Sequence, residues 1–244
     1  MSFIEVKNLV KQYGAGEAAV AAVDGISFTI EQGEFVAVMG PSGAGKSTLL
    51  SVMGAMNAPT AGRYAVDGIE VYSLRPEQRA DFRREFLGFV FQGFHLVDYL
   101  TVLENAMLPL AVSPGARREK DARAKEALAW VGLADKASRL PGEISGGEKE
   151  RAAIARAIVN APPLLLADEP TGSLDSSTGQ EVMELLLRLN RQGTTVVMVT
   201  HSSECAGYAA RRLLVRDGRL AADETDAGDA EVPKALPVGL AAAG

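Results

Sequence analysis

The sequence predicts an α/β domain with a mainly parallel sheet, an antiparallel β part at the N-terminus and an inserted helical subdomain. Three observations predict this architecture. A phosphate-binding loop joins a strand to a helix, short apolar runs end in polar residues, and residues 93–160 change to helical patterns. Strands that are buried on both faces have continuous apolar runs, which is typical of parallel sheets.

The composition allows one large domain, or a core with a subdomain. The chain has 244 residues, of which 47% are hydrophobic, so it can bury a sizeable core. Its formal net charge of −6 and lack of a long basic run argue against a nucleic-acid partner. Cys205 is the only cysteine, which excludes an intrachain disulfide and favours a reducing compartment. We expect neither a signal peptide nor a membrane span, because no apolar run approaches about 20 residues.

The first thirty residues predict the antiparallel part. Residues 3–10 alternate apolar and polar side chains, and residues 26–30 form a second strand at hairpin-like spacing. Tyr13 lies between them and has two interpretations. Its ring either packs on the sheet edge or stacks on a base beside the phosphate-binding loop, and the residues alone do not decide between these.

The phosphate-binding loop follows a strand at residues 34–39 and fits G-x-x-x-x-G-K-[ST] at every fixed position. Its glycines let backbone N–H groups converge on one anion, and the next helix adds the partial positive charge of its N-terminus. We expect Lys46 to reach the outer phosphates and the Ser47 hydroxyl to bind Mg²⁺. The predicted phosphate-binding residues are Gly40, Pro41, Ser42, Gly43, Ala44, Gly45, Lys46, Ser47 and Thr48.

Short strands and helices follow the loop, and the helices dominate from residue 93. The apolar stripe of Ala124 and Leu128 marks the longest of these helices. The predicted elements are a strand and turn at 64–69, a helix at 76–84, a strand at 87–91 that ends at Gln92, and helices at 103–110 and 117–133. Phe94, Leu96, Leu100 and Val102 are too apolar for a free loop, which favours a place in the subdomain core.

The sheet resumes after residue 160. The later elements are buried strands at 164–167 and 194–200, a helix at 176–189, and a hairpin whose turn is Asp217-Gly218. We therefore assign the core to about 1–92 and 161–220, and the helical subdomain to about 93–160. Residues 221–244 are rich in Ala, Gly, Asp and Glu, which predicts a flexible tail.

Polar residues follow three of the predicted parallel strands, where ligands bind in open α/β sheets. Asp168 is suited to hold Mg²⁺, Glu169 to orient and deprotonate a water, and His201 to donate to a transferring phosphoryl group. The alternative for Asp168 and Glu169 is a solvated strand end or a helix cap. His201 alone is weak support, since a histidine at a strand end is usually structural.

The stretch Ser145-Gly146-Gly147-Glu148 also has two interpretations. It forms a capping box, in which Ser145 caps the next helix and Glu148 reaches back to it. It also supplies a second anion cradle at a helix N-terminus. Both can hold together, and the anion cradle is then either a spare site or one that serves a nucleotide bound to another copy.

The order of these motifs resembles that of ATP-binding cassette (ABC) ATPases, which have a P-loop NTPase core. The resemblance covers about residues 3–220, although the signature has Ile144 for leucine and Glu148 for glutamine. It implies ATP and Mg²⁺ as ligands and a head-to-tail dimer with two ATPs at the interface. By this resemblance Lys46 would bind ATP in its own copy, and the partner copy's ATP would be bound by Ser145, Gly146, Gly147 and Glu148. Gln92 would sense Mg²⁺ and water and link to a membrane subunit. Asp175 would line the dimer interface, and Tyr13 would stack on adenine.

Residues 84–110, with the stretches 91–96 and 100–105, resemble the lipoprotein-release, macrolide-export and cell-division branch of the family. This implies an ATPase subunit that drives export, extraction or a mechanical stroke in an integral membrane partner. It also implies that part of the surface with Phe94, Leu96, Leu100 and Val102 meets a short helix of that partner, so docking is the alternative to core packing for these residues. It would lie peripherally at the cytoplasmic face of the inner (plasma) membrane. The alternatives are an amino-acid-type importer ATPase and a nucleotide-switched regulatory module. A soluble ABC ATPase acting on DNA or ribosomes usually carries a coiled-coil insertion or a second cassette, and neither is found here.

Overall fold

The computed structural model describes residues 2–14, 16 and 19–225. An antiparallel sheet is formed by the chain's first two strands and by two that follow the first helix, in the order β2-β1-β4-β5. Register shifts interrupt the pairing of β1 with β2 and with β4, so the two long strands bend. The strands of this sheet are β1 (Ile4–Tyr13), β2 (Val20–Ile30), β4 (Ala61–Val66) and β5 (Ile69–Glu70).

The second sheet has six strands in the order β10-β9-β3-β8-β7-β6. Five of them, from β9 to β6, run parallel, and β10 pairs with β9 in the antiparallel sense. The predicted fold class is therefore confirmed. These strands are β3 (Phe35–Met39), β6 (Leu87–Val90), β7 (Leu164–Asp168), β8 (Thr195–Thr200), β9 (Arg211–Arg216) and β10 (Arg219–Thr225).

Helices cover both faces of the six-stranded sheet. Three of them, α3 to α5, lie in sequence between the adjacent strands β6 and β7 and form the helical insertion. The helices are α1 (Lys46–Met53), α2 (Pro76–Phe86), α3 (Val102–Met107), α4 (Arg117–Trp130), α5 (Gly146–Ile158), α6 (Ser176–Arg191) and α7 (Ser203–Ala206).

The central strands β3, β7 and β8 feed alternate side chains into two separate apolar clusters. In β3, Phe35 and Ala37 join the cluster formed with α3 to α6, whereas Val36 and Val38 join the one formed with α1 and the antiparallel sheet. Both sets are at most 3% exposed. Burial on both faces explains why the strand sequences show no alternation.

The expected domain end at residue 220 is wrong, because β10 continues to Thr225. Arg211 on β9 donates two hydrogen bonds of 2.7 Å to the carboxylate of Asp223 on β10. Asp223 lies inside the stretch 221–244, whose composition predicts a tail. The remainder of that predicted tail, 226–244, lies outside the described residues.

The apolar residues after Gln92 belong mainly to the core. Val102 is fully buried, and Leu96 packs against the cluster around α3 to α5. The docking interpretation is therefore wrong for Val102. Among the residues described, no helix is both long and apolar enough to cross a bilayer.

Glu150 on α5 is a buried carboxyl group that the sequence patterns do not single out. It is 2% exposed, and its Oε1 has no hydrogen-bond partner among the described residues. Burial raises the pKa of this carboxyl from its usual 4.5 to about 8, although Arg156 acts in the opposite direction. The folded protein therefore holds Glu150 as the neutral acid at pH 7.

This burial predicts a pH-dependent effect of Glu150→Gln. The folded-state pKa is raised, so the stability it confers is complete below pH 4.5 and is lost as the pH rises through about 8. We expect the free energy of unfolding of the variant, relative to the native protein, to increase by about 3 kcal/mol from pH 5 to pH 8. Urea unfolding at both pH values measures it. Glu181→Gln, on the surface of α6, is the control, and a difference that does not change with pH contradicts the prediction.

Candidate functional site

The carboxyl ends of β3, β8 and β7 meet at one edge of the sheet. Met39 pairs with Thr200, and Asp168 pairs with Val199, so the residues that follow these strands lie side by side. The edge therefore brings together the phosphate-binding loop, the Asp168-Glu169 pair and His201. This is the arrangement that the sequence predicts for these groups.

Two glycines let the phosphate-binding loop approach neighbouring backbone closely. Gly40 and Gly45 have φ angles of +153° and +97°. A Cβ on Gly40 would lie 2.0 Å from the carbonyl oxygen of Val215, and one on Gly45 would lie 1.9 Å from that of Ala22. Because both obstacles are backbone atoms, only glycine fits these positions.

The turn between β9 and β10 holds the same loop from the side. The N–H of Gly218 donates to the Ala44 carbonyl at 3.1 Å, and the N–H of Asp24 donates to the Gly218 carbonyl at 2.7 Å. These bonds tie the loop to β2 and to the last hairpin. The loop is therefore preorganised by elements distant in sequence.

Lys46 and the N-terminus of α1 form a site for an anion. The Lys46 side chain is 8% exposed, and its Nζ donates to the carbonyls of Gly40 at 2.8 Å and Pro41 at 3.0 Å. No described side chain caps α1, and its first turn contains no acidic residue. An uncapped helix N-terminus beside a buried ammonium fits a phosphate group.

Ser47 and Asp168 place hard oxygen ligands next to the loop. The Ser47 hydroxyl donates to Asp168 Oδ1 at 3.2 Å. Burial raises the pKa of Asp168, and this is opposed first by the Ser47 hydrogen bond. A hydroxyl and a carboxylate that still need waters or phosphates around them fit Mg²⁺. A bound divalent cation would favour the ionised form of the carboxyl group.

Glu169 and His201 form a second pair beside Asp168. The Nδ1–H of His201 donates to Glu169 Oε1 at 2.8 Å, and the Glu169 side chain is only 13% exposed. Glu169 has φ +47°, a left-handed conformation that is strained for a non-glycine residue and common at functional sites. Neither carboxylate caps the following helix α6, since Asp175 does so. The cap interpretation is therefore excluded for both residues.

Gln92 leaves the end of β6 and lies near the same pair. A Cβ built on Gly172 would lie 3.6 Å from Glu169 Cβ and 3.9 Å from Gln92 Nε2. Gln92 is exposed. The position is compatible with the predicted contact to Mg²⁺ and water.

Arg156 contacts the segment after Gln92, which the sequence patterns do not reveal. Its guanidinium donates to the carbonyl of Phe94 at 2.8 Å and to that of His95. It therefore holds the segment directly after Gln92. In the sequence Arg156 is one arginine in the otherwise apolar second half of α5, and this pattern does not identify its hydrogen-bond partners.

The Ser145–Glu148 stretch forms the predicted capping box at the start of α5. Ser145 Oγ accepts from the Glu148 N–H at 3.2 Å, and Glu148 Oε2 accepts from the Ser145 N–H at 2.7 Å. The backbone hydrogen bond from Ser145 lowers the pKa of Glu148. The Ser145 hydroxyl keeps its own proton to donate, so a role as an anion ligand remains a compatible prediction.

The start of α5 packs against the start of α6. A Cβ on Gly147 would lie 2.2 Å from Thr178 Cγ2, which explains the glycine by packing alone. Asp175 caps α6 by accepting from the Thr178 N–H at 3.1 Å, and the hydroxyl of Ser177 holds the pKa of this carboxyl well below its usual range. Asp175, for which a dimer interface is predicted, therefore lies close to Ser145.

Tyr13 ends β1 with its ring partly free. The residue is 45% exposed, its hydroxyl accepts from Asn57 Nδ2 at 2.6 Å, and Lys11 Nζ lies 5.2 Å from the ring centroid. The exposed ring leaves the stacking interpretation possible. It stays a prediction.

Comparison with known proteins gives one consistent family. The family described as "ABC transporter" matches residues 23–172. The lipoprotein-releasing system ATP-binding protein LolD of Geobacter metallireducens is 48% identical over 223 residues, which cover 91% of this chain and 99% of LolD. The macrolide export ATP-binding/permease protein MacB of Neisseria meningitidis is 44% identical over 223 residues. That match covers 91% of this chain but only 35% of MacB.

A solved structure agrees with these relatives. The dimeric post-hydrolysis state of the ATP-binding cassette MJ0796 with ADP and Pi has a TM-score of 0.84 and 41% identity. It covers 91% of this chain and 98% of that one. The resemblance identified in the sequence is confirmed, and this chain belongs to the ABC transporter family.

Proposed function

We propose that this chain is the ATP-hydrolysing subunit of a membrane ABC transporter and that it works as a head-to-tail dimer around two Mg-ATP. The observation that carries the proposal is the edge of the parallel sheet. There the Ser47–Asp168 and Glu169–His201 pairs lie at the ends of neighbouring strands. A metal-binding pair, a base and a phosphate loop are the parts that phosphoryl transfer to water requires.

The loop and Lys46 bind the phosphates of ATP. In the free protein the Lys46 ammonium is held by the carbonyls of Gly40 and Pro41, so it is already positioned over the loop. Binding exchanges these two neutral acceptors for phosphate oxygens, with which charge-assisted bonds are stronger. Tyr13, 45% exposed, presents its ring for the adenine base.

Ser47, Asp168 and Gln92 are the protein groups that would hold Mg²⁺ or its water shell. When bound, the ion would neutralise charge that develops on the phosphate oxygens. Glu169 accepts the proton of the attacking water, and its bond to His201 fixes the carboxylate in place. Because the Nδ1–H of His201 donates to Glu169, Nε2 is the nitrogen left for the phosphoryl group, and it donates there when both ring nitrogens carry a proton.

The second copy completes the site through Ser145, Gly146, Gly147 and Glu148. These residues and Asp175 lie at the packed N-termini of α5 and α6. The dimeric MJ0796 cassette, which resembles this chain over 91% of its length, supports such an assembly. A dimer closed around ATP would open after hydrolysis and so do mechanical work.

The membrane partner docks on the helical insertion. Tyr99, Leu108 and Val112 are 83%, 38% and 76% exposed, which is unusual for large apolar side chains on one short stretch. The chain would thus lie at the cytoplasmic face of the inner membrane through this partner. The names of the relatives, a lipoprotein-releasing system and a macrolide exporter, favour export or extraction over import.

Lys46→Ala should weaken Mg-ATP binding by about 10- to 100-fold. The variant loses the charged donor to the outer phosphates, and hydrogen bonds to charged groups are strong. Equilibrium titration with a fluorescent ATP analogue measures the affinity. Lys125→Ala, which removes a surface lysine of α4 that is 59% exposed, is the control. Equal affinities of the two variants would contradict the assignment of the loop.

Glu169→Gln should slow ATP turnover by about 10²–10⁴-fold while ATP binding persists, because the amide cannot accept the proton of water. The ATP-bound dimer should then accumulate, and size-exclusion chromatography with Mg-ATP should show a dimer where the native protein is mostly monomer. Adding Ser145→Arg should restore the monomer. Native-rate hydrolysis by the Gln variant overturns the role of Glu169, and a dimer that tolerates Ser145→Arg leaves Ser145 a helix cap alone.

Tyr99→Glu with Val112→Glu should detach the chain from its membrane partner without changing ATP affinity. Both side chains are exposed, so the charges cost little stability, whereas they would be costly in an apolar interface. Co-purification with membrane proteins, in cells that also express the genes neighbouring that of this chain, measures the effect. The control is Val20→Glu with Met56→Glu, because both residues are exposed and apolar but lie outside the insertion. Unchanged co-purification would place the docking surface elsewhere.

A further inference from the structure

The segment that follows Gln92 has a strained backbone. Its three residues all lie in the left-handed region, with φ angles of +91° at Gly93, +64° at Phe94 and +47° at His95. Glycine adopts this region freely, but side chains with a Cβ are strained there. Such a segment keeps its shape only if its surroundings hold it.

Arg156 holds this segment in place through hydrogen bonds. Its two terminal nitrogens donate to the carbonyls of Phe94 and His95, which are adjacent in sequence. The planar fork of a guanidinium can hold two neighbouring acceptors at once, which a single ammonium cannot match. Burial lowers the pKa of Arg156, Glu150 acts in the opposite direction, and the two carbonyls accept hydrogen bonds from the guanidinium.

Helix α5 connects this contact with the other end of the catalytic machinery. The helix starts at the Ser145 capping box, and Arg156 follows about three turns later. Between them Ala152, Ala153, Ile154 and Ala155 are all fully buried, so the helix is packed along its length. A displacement of its N-terminus would therefore carry Arg156 with it.

We infer that Arg156 is a positioning residue that couples the two ATP sites of the dimer. It ties the Gln92 segment of its own site to the helix whose N-terminus meets the partner's ATP. When α5 is seated on the partner's ATP, the two carbonyls are drawn into place and Gln92 is set for catalysis. This inference rests on the proposed function for the dimer, but the hold on the segment itself does not.

Three variants test the inference. Arg156→Met removes the fork and keeps the length of the side chain, and Arg156→Lys keeps the charge without the fork. Arg123→Met is the matched control, because Arg123 also donates to a backbone carbonyl of the same subdomain, that of Val159 at 3.0 Å. Comparison with this control separates positioning from a general loss of stability.

Hydrogen exchange of the nucleotide-free protein tests the hold. We expect amides of residues 94–96 to exchange about tenfold faster in Arg156→Met, less so in Arg156→Lys, and unchanged in Arg123→Met. Unchanged exchange in Arg156→Met would overturn the inference. If Arg156→Met does not fold, the same comparison between Arg156→Lys and Arg123→Met decides.

ATP kinetics test the coupling. We expect kcat of Arg156→Met to fall about 10- to 100-fold, with ATP affinity of the monomer unchanged and the Hill coefficient near 1. Arg156→Lys should restore part of kcat. A kcat equal to that of Arg123→Met, or a matching loss of ATP affinity, would overturn the coupling. A native protein with no ATPase activity would instead refute the proposed function, while the exchange result still stands.

Discussion

Parallel pairing of β3, β8 and β7 is the interaction on which the site depends. It sets Met39 beside Thr200 and Asp168 beside Val199, so each polar residue after a strand faces a neighbour. Without that register, Ser47 could not reach Asp168 and Glu169 could not reach His201. The chemistry is carried by short loops, but their positions are determined by buried backbone hydrogen bonds and by alternate side chains packed into two clusters.

Helix N-termini show how similar local structures take different roles. At α1 no described side chain satisfies the first turn, and the free N–H groups face the site. At α5 and α6 the side chains of Ser145 and Asp175 each accept from one backbone N–H of the first turn, that of Glu148 and that of Thr178. The first terminus therefore offers an anion its whole first turn, whereas at the other two the capping side chain uses one N–H and adds what hydrogen-bonding capacity it has left. For Ser145 this is one hydroxyl proton, and for the Asp175 carboxylate it is acceptor capacity alone.

Most of the fold and the motif-borne part of the site could be predicted from the sequence. The phosphate loop, the buried strands and the strand-end carboxylates carry strong local patterns. The extension of β10 to Thr225 could not be predicted, because its order depends on the long-range pair of Arg211 with Asp223. Val102 could not be assigned for a related reason: an apolar residue after Gln92 suits both a core and a docking surface, and only its packing shows that it is core. Arg156 was missed since its partners are backbone carbonyls, which leave no mark in the sequence.

The order of strands in the sheet has a consequence for biosynthesis. The phosphate loop follows β3, yet both neighbours of β3 come from the last part of the described chain, β8 at 195–200 and β9 at 211–216. The backbone that contacts the loop, at Val215 and Gly218, lies within β9 and in the turn directly after it. A nascent chain on the ribosome thus carries the complete nucleotide motif long before it has a pocket. The pocket can form only after β8 and β9 have been made, and until then both edges of the apolar strand β3 are unpaired, which favours protection by chaperones.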